Sequence, residues 1–397
     1  MKYLFTFLLT IITSIIVAQE NYVIILSLDG FSADYIEKYK TENIARIAKK
    51  GVRVKRMIPS NPTKTFPNHY TIATGLYPDN HGLIGNSFYA PKLNKEYSLS
   101  NRTSVENGDF YGGEPIWNTA KKAGLKIASY FWVGSEAKIN GMQPDIWKKY
   151  NSNVTFEQRI DSVITWLKYP KEKRPNLVML YYNQPDSAGH KYGPNSNEVA
   201  KQINYVDSQV GNLYKRLMEL PFAKNINFIL VSDHGMRSIS KDKQIILEDY
   251  VPKTWMLGIY GNNPVYTIRA KKDNIDNIYK QLKKVKNLIT YKRGEAPKKY
   301  NLANNSRTND LIVIGKKGYS VFATHADGRY FGGTHGYLNC DKEMSAVFVA
   351  SGNAFKQNYT QRTIKNIDVY NLIAHILGIT PAKNDGDFNR VKKLLRN

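Results

Sequence analysis

Three short apolar segments constrain the fold of this chain more than any other feature of its sequence. They read YVIILSL at residues 22–28, NLVMLYY at 176–182 and INFILVS at 226–232. Continuous apolar runs of this length are typical of strands that are buried on both faces. Helical periodicity follows the first run as far as Gly51, and it also fills residues 197–220 between the other two runs. The alternation predicts an α/β fold with a central, largely parallel β-sheet and helices on both of its faces.

Acidic and imidazole side chains follow each of these strands. The residues concerned are Asp29 after the first run, Asp186 and His190 in NQPDSAGH after the second, and Asp233 and His234 after the third. A single aspartate at such a place would be explained by helix capping or turn formation. Three strand ends that all carry aspartate, two of them with histidine, are poorly explained in that way. Because ligands of such sheets collect at the carboxyl ends of the strands, we expect these side chains to meet there.

A further ligand candidate is His335, which lies in the glycine-rich segment GGTHGY. The chain has seven histidines, and we interpret the other four as structural: His69, His81, His325 and His375. Imidazole nitrogen and carboxylate oxygen are ligands that suit zinc, at distances of about 2.0 to 2.2 Å. Two metal ions about 3.5 to 4 Å apart can stabilise both the attacking and the leaving oxygen of a phosphoryl transfer. The six residues therefore form a plausible ligand set for two Zn²⁺ ions at the carboxyl ends of the strands.

Longer motifs connect these residues to a known family. TKTFPNHYTIATGLYPDNHGLIGNSFY, DIWKKYNSNVTFEQRI, YYNQPDSAGHKYGP, SDHGM, GGTHGY and NDGD occur in that order between Tyr22 and Asp387. Together they resemble the nucleotide pyrophosphatase/phosphodiesterase family, zinc ectoenzymes of the alkaline phosphatase superfamily, and specifically a bacterial member that consists of the catalytic domain. The resemblance implies an alkaline-phosphatase-like fold for nearly the whole chain.

The resemblance also assigns catalytic and metal-binding roles. Thr65, in the segment TKTFPN, matches the family's threonine nucleophile, which is also a metal ligand. The implied ligands of the metal ion beside Thr65 are Asp29, Asp233 and His234, and those of its neighbour are Asp186, His190 and His335. Asn86 matches the asparagine that donates a hydrogen bond to a non-bridging phosphate oxygen, where negative charge develops. Thr63 has no such match, and we interpret it as a turn residue.

Four residues are candidates for binding the substrate. Phe66, Tyr150 and Tyr181 match family positions that sandwich a nucleobase, a task that suits flat rings. Since the chain has 28 tyrosines and 15 phenylalanines, core packing is the alternative for each of them. Lys64 would lie near the phosphate groups. The expected ligand is a nucleotide or a nucleotide-like small molecule.

The resemblance thus predicts a two-zinc phosphodiesterase or nucleotide pyrophosphatase that releases nucleoside 5′-monophosphates through a covalent threonine intermediate. Three alternatives stay open: a phosphodiesterase of choline-type phospholipids, a phosphomonoesterase of the same superfamily, and a non-catalytic binding protein that contains zinc. We identify neither the aromatic cage that a quaternary ammonium group would require nor the additional arginine and third metal that are common in monoesterases.

The charge and the cysteine content limit the classes of protein to which this chain can belong. The formal net charge is +24, from 57 lysines and arginines against 33 aspartates and glutamates, and the excess is spread along the chain. We recognise no nucleic-acid-binding module and predict no specific nucleic-acid partner, although a positive field favours anionic substrates. Cys340 is the single cysteine, so an intramolecular disulfide is impossible. The sequence does not indicate an oligomeric state.

The first residues, MKYLFTFLLTIITSIIVAQE, are typical of a secretory signal peptide. Their apolar run is shorter than the roughly 20 residues that span a bilayer. We therefore expect a signal peptide at residues 1–18, cleaved after Ala18, and a single catalytic domain at 19–397. No transmembrane anchor is predicted, and the protein should be exported, to a bacterial periplasm or to the outside of the cell.

Overall fold

Strands and helices alternate along residues 21–327 and 331–396, which the computed structural model describes. In chain order, the strands are β1 (Tyr22–Leu28), β2 (Val52–Ile58), β3 (Ser87–Ala90), β4 (Lys95–Ser98), β5 (Ile127–Tyr130), β6 (Ile146–Lys148), β7 (Leu177–Tyr182), β8 (Ile226–Val231), β9 (Arg237–Ser238), β10 (Gln244–Ile246), β11 (Met256–Asn262), β12 (Val265–Ala270), β13 (Leu288–Lys292), β14 (Leu311–Gly315), β15 (Ser320–Phe322), β16 (Gly333–Thr334), β17 (Ala346–Gly352) and β18 (Tyr359–Lys365). The helices are α1 (Tyr35–Lys38), α2 (Glu42–Lys50), α3 (Thr65–Thr74), α4 (Pro78–His81), α5 (Arg102–Val105), α6 (Ile116–Lys122), α7 (Phe156–Leu167), α8 (Asp186–Tyr192), α9 (Asn197–Met218), α10 (Ile275–Lys284), α11 (Asp368–Ile376) and α12 (Phe388–Val391).

A sheet of eight strands forms the centre of the fold, in the order β18-β2-β17-β8-β1-β7-β5-β6. Every neighbouring pair is parallel except the two that involve β17, which runs antiparallel to β2 and to β8. The strand β1 lies between β7 and β8. The three apolar runs are therefore adjacent, and the predicted α/β class with a largely parallel sheet is confirmed.

Both faces of the central sheet are covered, as the apolar runs predict. Along β1, Val23 and Ile25 belong to one buried cluster, whereas Ile24 and Leu26 belong to another on the opposite face. The first cluster contains apolar residues of α3, α6 and α11, and the second contains those of α2, α7 and α9. Because successive side chains of a strand point to opposite faces, this alternation requires helices on both sides.

Two features of the fold were not predicted from the sequence. The helical segment after β1 is divided into α1 and α2, because Lys40 between them has a φ of 50°, outside the helical region. A second, antiparallel sheet in the order β11-β12-β14-β13 was not predicted. Its core includes Ile268 of β12 and packs against Ile278 and Leu282 of α10.

The structure leaves the predicted signal peptide outside the described residues. Within residues 21–327 and 331–396, no helix combines the length and the apolar character needed to cross a bilayer. Cys340 is exposed.

Candidate active site

The central sheet brings the candidate ligands together at one edge. Asp29 follows β1, and Asp233 and His234 follow β8, so adjacent strands deliver them side by side. Asp186 begins α8 after β7, and His190 lies four residues later in the same helix. Residues four apart share one face of a helix, which explains the NQPDSAGH spacing. His335 joins the other five from the loop after β16, and all six side chains are largely or fully buried except that of His190, which is half-buried.

The distances between these side chains fit metal coordination. Two groups of three have ligand atoms within 4.8 Å of one another: Asp186, His190 and His335, and Asp29, Asp186 and His234. Around His234, Nε2 lies 2.9 Å from Asp233 Oδ2 and 3.5 Å from Asp29 Oδ1. Around Asp186, Oδ1 lies 3.5 Å from His190 Nε2 and 3.7 Å from His335 Nε2. Ligands of a tetrahedral zinc ion are about 3.4 Å apart when each is about 2.1 Å from the metal.

The three histidines are oriented in the same way. In each ring, Nδ1 lies within hydrogen-bond distance of a backbone carbonyl oxygen: 2.8 Å for His190 and Gly333, 2.9 Å for His234 and Gly235, and 2.8 Å for His335 and Thr63. A carbonyl oxygen can only accept, so Nδ1 carries the proton and donates it in all three rings. Each Nε2 therefore directs a free lone pair into the cluster, which is the usual arrangement of a metal-binding histidine.

Each of the three aspartates has one carboxylate oxygen without a partner, and in Asp29 and Asp233 the other oxygen is anchored by hydrogen bonds. Tyr181 donates its hydroxyl to Asp29 Oδ2 at 2.7 Å, and the backbone amides of Gly30 and His234 donate to Asp233 Oδ1 at 3.1 and 3.0 Å. Among the described residues, Asp29 Oδ1, Asp186 Oδ1 and Asp233 Oδ2 are buried without a hydrogen-bond partner. Buried carboxylate oxygens without partners are costly, and a cation at this place would compensate all three.

The pKa shifts of the clustered side chains also favour a bound cation. Burial and the neighbouring carboxylates of Asp233 and Asp186 raise the pKa of Asp29 well above its usual range. Burial also raises the pKa of Asp233, and it lowers the pKa of His234 and of His335. The lowered pKa values favour neutral imidazoles, which metal binding requires, and a cation beside the carboxylates would favour their ionised forms.

Thr65 lies at the first position of α3, beside the cluster. Its Oγ1 is 3.2 Å from His234 Nε2. The positive end of the helix dipole and the free backbone amides at a helix N-terminus favour an anion at this place. Asn86 accepts a hydrogen bond from the Phe66 backbone amide at 3.0 Å through Oδ1, so its amide nitrogen is left to donate. The structure thus combines a hydroxyl, a neutral donor and a helix N-terminus at one point.

A cleft of about 290 Å³ opens over these groups. It is lined by Thr65, Asn86 and four of the other metal-ligand candidates, and also by Phe66, Tyr150 and Tyr181. The Tyr150 ring is 38% exposed, whereas Tyr181 is only 9% exposed and its hydroxyl is bound to Asp29. Tyr181 therefore reaches both the cleft and the ligand cluster, a second contact that the sequence did not indicate.

Eight residues that line the cleft were not predicted from the sequence, and three of them are connected to Tyr150. Phe131 contacts the Tyr150 ring at 5.1 Å and has a φ of 69°, a strained conformation for a bulky residue. Arg102 and Glu136 form an ion pair in the cleft, and Glu136 also accepts a hydrogen bond from the Tyr150 backbone amide. No local pattern marks any of the three, because the chain segments that carry them meet only in the folded state.

The structure does not bring Lys64 into this cleft. Its ammonium group is buried and donates to the carbonyl oxygen of Asn263 at 2.6 Å, and Lys64 is not among the described residues that line the cleft. Burial lowers its pKa to about 7, despite the charge of Asp186. The contact joins the segment that carries Thr65 to the loop between β11 and β12 of the second sheet.

Thr63 and His69 have contacts that their interpretation as turn and structural residues did not include. The Thr63 carbonyl holds His335, and its hydroxyl donates to the Tyr337 carbonyl at 2.8 Å and accepts from the Gly336 amide at 3.0 Å. His69 Nδ1 lies 3.0 Å from the Thr65 carbonyl and 3.4 Å from Asp233 Oδ2. Both residues thus support the cluster from outside.

The other three histidines lie apart from the two ligand groups. His81 is buried and hydrogen-bonded to Thr71, His325 is exposed and paired with Asp249, and His375 packs on Phe388.

The ligand segments, which are the chain segments that carry the candidate metal ligands, are also hydrogen-bonded to one another. Thr63, two residues before Thr65, holds His335, and Gly333, two residues before His335, holds His190. The Asp186 amide donates to the Asp29 carbonyl at 3.0 Å, and the adjoining Gly30 amide donates to Asp233. A chain of hydrogen bonds therefore runs from the Thr65 segment through every ligand segment.

A largely parallel sheet with an Asp/His cluster at its carboxyl edge and a hydroxyl at a helix N-terminus beside it defines an alkaline-phosphatase-like protein. Comparison with known proteins gives the family. The sequence model of type I phosphodiesterases/nucleotide pyrophosphatases matches residues 23–338. This chain belongs to that family.

Individual relatives are similar over most of this chain. Venom phosphodiesterase 2 of Crotalus adamanteus is 39% identical over 391 residues, which cover 96% of this chain and 48% of that protein. The human ectonucleotide pyrophosphatase/phosphodiesterase family member 1 is 40% identical over 388 residues, which cover 94% of this chain and 42% of that protein. The chain thus spans about half the length of the curated relatives that it matches.

A solved structure resembles the fold closely. The murine ectonucleotide pyrophosphatase/phosphodiesterase 5, studied as an inactive threonine-to-alanine variant in complex with AMP, has a TM-score of 0.91 and 34% identity, and the match covers 95% of this chain and 100% of that chain. The alkaline-phosphatase-like fold predicted from the sequence is confirmed.

Proposed function

We propose that this protein is a two-zinc phosphodiesterase that hydrolyses nucleotide phosphodiester or pyrophosphate bonds and releases nucleoside 5′-monophosphates. The observation that carries the proposal is the Thr65 hydroxyl, 3.2 Å from an imidazole nitrogen whose lone pair faces three buried carboxylates. The names of the relatives support the reaction class, and the AMP complex of the murine protein supports a nucleotide as the ligand.

Seven side chains would hold the two ions. Those beside the nucleophile are Asp29, Thr65, Asp233 and His234, and those of the neighbouring ion are Asp186, His190 and His335. When bound, divalent zinc supplies positive charge that favours an ionised nucleophile and a departing oxygen anion. Asp/His ligand sets of this kind suit zinc, and the unpartnered oxygens described above fit such ions.

Thr65 performs the covalent step in this proposal. Its Oγ1 forms a bond to phosphorus while the bond from phosphorus to the leaving oxygen breaks, and the leaving group departs with the electron pair. Water then cleaves the bond between Thr65 and phosphorus, which restores the hydroxyl and releases the nucleoside monophosphate. One water molecule is consumed in each cycle, and two lower barriers replace one higher barrier.

Asn86 and the cleft position the substrate. The Asn86 amide nitrogen donates to a non-bridging phosphate oxygen as charge develops on it, while Phe66 fixes the opposite end of that side chain. Phe66, Tyr150 and Tyr181 stack on the base, because every nucleobase offers a π-face. Lys64 supports the phosphate region from beneath through its contact with Asn263 and not by direct reach.

The predicted processing belongs to the same proposal. Residues 1–18 act as a signal peptide, residues 19–397 form one catalytic domain, and the protein acts outside the cytoplasm, in a periplasm or as a secreted enzyme. The venom relatives are consistent with activity outside the cell.

The test compares three chromogenic esters with the zinc-loaded protein: the p-nitrophenyl ester of thymidine 5′-monophosphate, p-nitrophenyl phosphate and p-nitrophenyl phosphorylcholine. We expect the nucleotide diester to be cleaved fastest and the Thr65→Ala variant to lose that activity. A dominant rate on either other ester would assign the protein to a monoesterase or a choline-type phosphodiesterase. If no ester is hydrolysed in a Thr65-dependent way, the catalytic proposal is wrong.

A further inference from the structure

A second cleft, of about 600 Å³, adjoins the candidate active site. It shares His190 and Asn262 with the first cleft, and its other walls include Ile239, Tyr266, Phe322 and Asp327. Thr65, Asn86 and the three proposed base-stacking rings line the first cleft and are not among the residues of the second. The two clefts thus meet at the ligand cluster, on the side of His190.

Attack by Thr65 determines which part of a substrate would enter the second cleft. A phosphoryl group that is attacked by Thr65 loses its leaving group on the opposite side, because attacking and leaving oxygens lie in line. Among the described candidate ligands, His190 is the one that lines both clefts. A phosphorus atom held between Thr65 and His190 therefore directs its leaving oxygen towards the second cleft.

The walls of the second cleft indicate what it can bind. Tyr266 and Phe322 contribute aromatic rings. The Asn262 amide, at the junction of the two clefts, makes no hydrogen bond to any described residue, so it can still donate and accept. The Asp327 carboxylate is exposed, and the Thr324 backbone amide, which donates to its Oδ2 at 3.0 Å, holds it in place.

A negative charge lies in the described wall of this cleft. Although the net charge of the chain is +24, the cleft is lined by the carboxylate of Asp327. A pyrophosphate leaving group carries several negative charges and would be repelled by Asp327, whereas a nucleoside or a sugar would not. Rings and free amides are the groups that bind such uncharged, hydroxyl-bearing molecules.

We propose that the second cleft is the leaving-group subsite and that it takes a neutral, ring-bearing leaving group, a nucleoside or a sugar, in preference to pyrophosphate. This inference rests on the proposed function, since it concerns the other half of the same substrate. Dinucleotides joined by a phosphodiester bond, or nucleotides esterified to an uncharged ring, are then better substrates than nucleoside triphosphates.

The test uses two substrates that transfer the same group. Cleavage of ATP and of the 3′,5′-linked dinucleotide ApA both yield 5′-AMP, but the leaving groups are pyrophosphate and the 3′-hydroxyl of adenosine. Because their intrinsic reactivities differ, the quantity to compare among variants is the ratio of kcat/KM for ATP to kcat/KM for ApA. The assays are run with the zinc-loaded full-length protein at one fixed, low salt concentration.

Three variants change the second cleft. Asp327→Asn removes the charge but keeps an oxygen for the Thr324 amide, and we expect it to raise the ratio roughly fivefold, with Asp327→Lys raising it further, because charge interactions at such range are sizeable at low salt. High salt should reduce both effects.

Ile239→Trp fills the cleft. We expect it to lower kcat/KM for ApA more than tenfold and kcat/KM for ATP by less. Asp276→Asn, an exposed aspartate of α10 that pairs with Lys292, is the matched control and should leave the ratio within twofold of the wild type.

The outcomes separate the two proposals. If the wild type cleaves both substrates in a Thr65-dependent way but the ratio does not respond to Asp327 and Ile239, the leaving-group assignment is wrong and the proposed function stands. If neither substrate yields AMP, the proposed function fails, and this inference fails with it. A ratio that rises in the order Asp327, Asn and Lys, and only for changes within the cleft, establishes the subsite.

Discussion

The Tyr181 hydroxyl allows a direct test of how the candidate metal centre is built. It donates to Asp29 Oδ2 at 2.7 Å, and both side chains are buried. Tyr181→Phe removes only that donor and leaves the ring in place. A hydrogen bond to a charged group contributes about 1.5 to 3 kcal/mol. Loss of an outer-shell partner typically weakens metal binding about 10- to 100-fold, which corresponds to about 1.4 to 2.7 kcal/mol. Because both estimates agree, we expect the zinc dissociation constant of the ion beside Thr65 to rise about 10- to 100-fold.

The measurement is competition for zinc between the protein and a chromogenic chelator, followed by kcat and KM at saturating zinc. In Tyr181→Phe, we expect weakened zinc binding with a nearly unchanged KM for the nucleotide diester, because the ring that stacks on the base is retained. Tyr181→Leu removes the ring as well, and its KM should rise. Tyr150→Phe is the matched control, since the Tyr150 hydroxyl contacts none of the candidate ligands among the described residues. If Tyr181→Phe binds zinc as tightly as the wild type, the assigned role of this hydroxyl is refuted.

Three further predictions follow from other contacts. Asn86→Ala should lower kcat about 10²- to 10³-fold without changing zinc affinity, because it removes a donor to the phosphate and no metal ligand; an unchanged kcat in steady-state assays would exclude that role. Treatment with EDTA should lower the melting temperature in calorimetry, and zinc should restore it, because three buried carboxylate oxygens lose their compensating charge; a melt that does not respond to EDTA contradicts the metal assignment. Burial lowers the pKa of His81 to about 3, so below about pH 6.5 the unfolded chain binds a proton that the folded one does not. The contribution of neutral His81 to the free energy of unfolding is therefore complete above pH 6.5. It is lost towards pH 3, by up to about 1.4 kcal/mol per pH unit. In urea unfolding of the chelated protein at pH 7 and pH 5, His81→Gln should show a smaller drop than the wild type, and equal drops would refute the argument.

The parts of the fold that sequence could predict are those in which local periodicity decides the outcome. The three apolar runs are typical of strands buried on both faces, and in a parallel sheet their carboxyl ends share one edge. Asp29, Asp186 and Asp233 follow those ends directly, so their meeting required no knowledge of the loops. His335 is different, because its segment GGTHGY has no strand of that kind before it. It was included because of its glycine-rich segment, and the family resemblance then assigned it to the same ion as Asp186 and His190.

The parts that sequence could not predict depend on contacts between distant segments. The bond from His335 to the Thr63 carbonyl joins residues 272 positions apart and uses a backbone atom, so the identity of Thr63 gives no sign of it. The contact of Lys64 with Asn263 likewise uses a backbone carbonyl, in a loop of the second sheet that was not predicted from the sequence. Tyr181 was assigned from its ring alone, whereas its hydroxyl is committed to Asp29.

The chain of hydrogen bonds among the ligand segments has a consequence for how the proposed activity could be controlled. Since Gly333 holds His190 and Thr63 holds His335, local opening of the loop at residues 332–337 would release two imidazoles at once, one on the loop and one on α8. Thr65 would remain in its helix, yet the site would lose two of the three proposed ligands of one ion. The proposed activity would therefore be lost by the motion of six residues while the central sheet stays folded, so hydrogen exchange in this segment is expected to track inactivation better than global unfolding does.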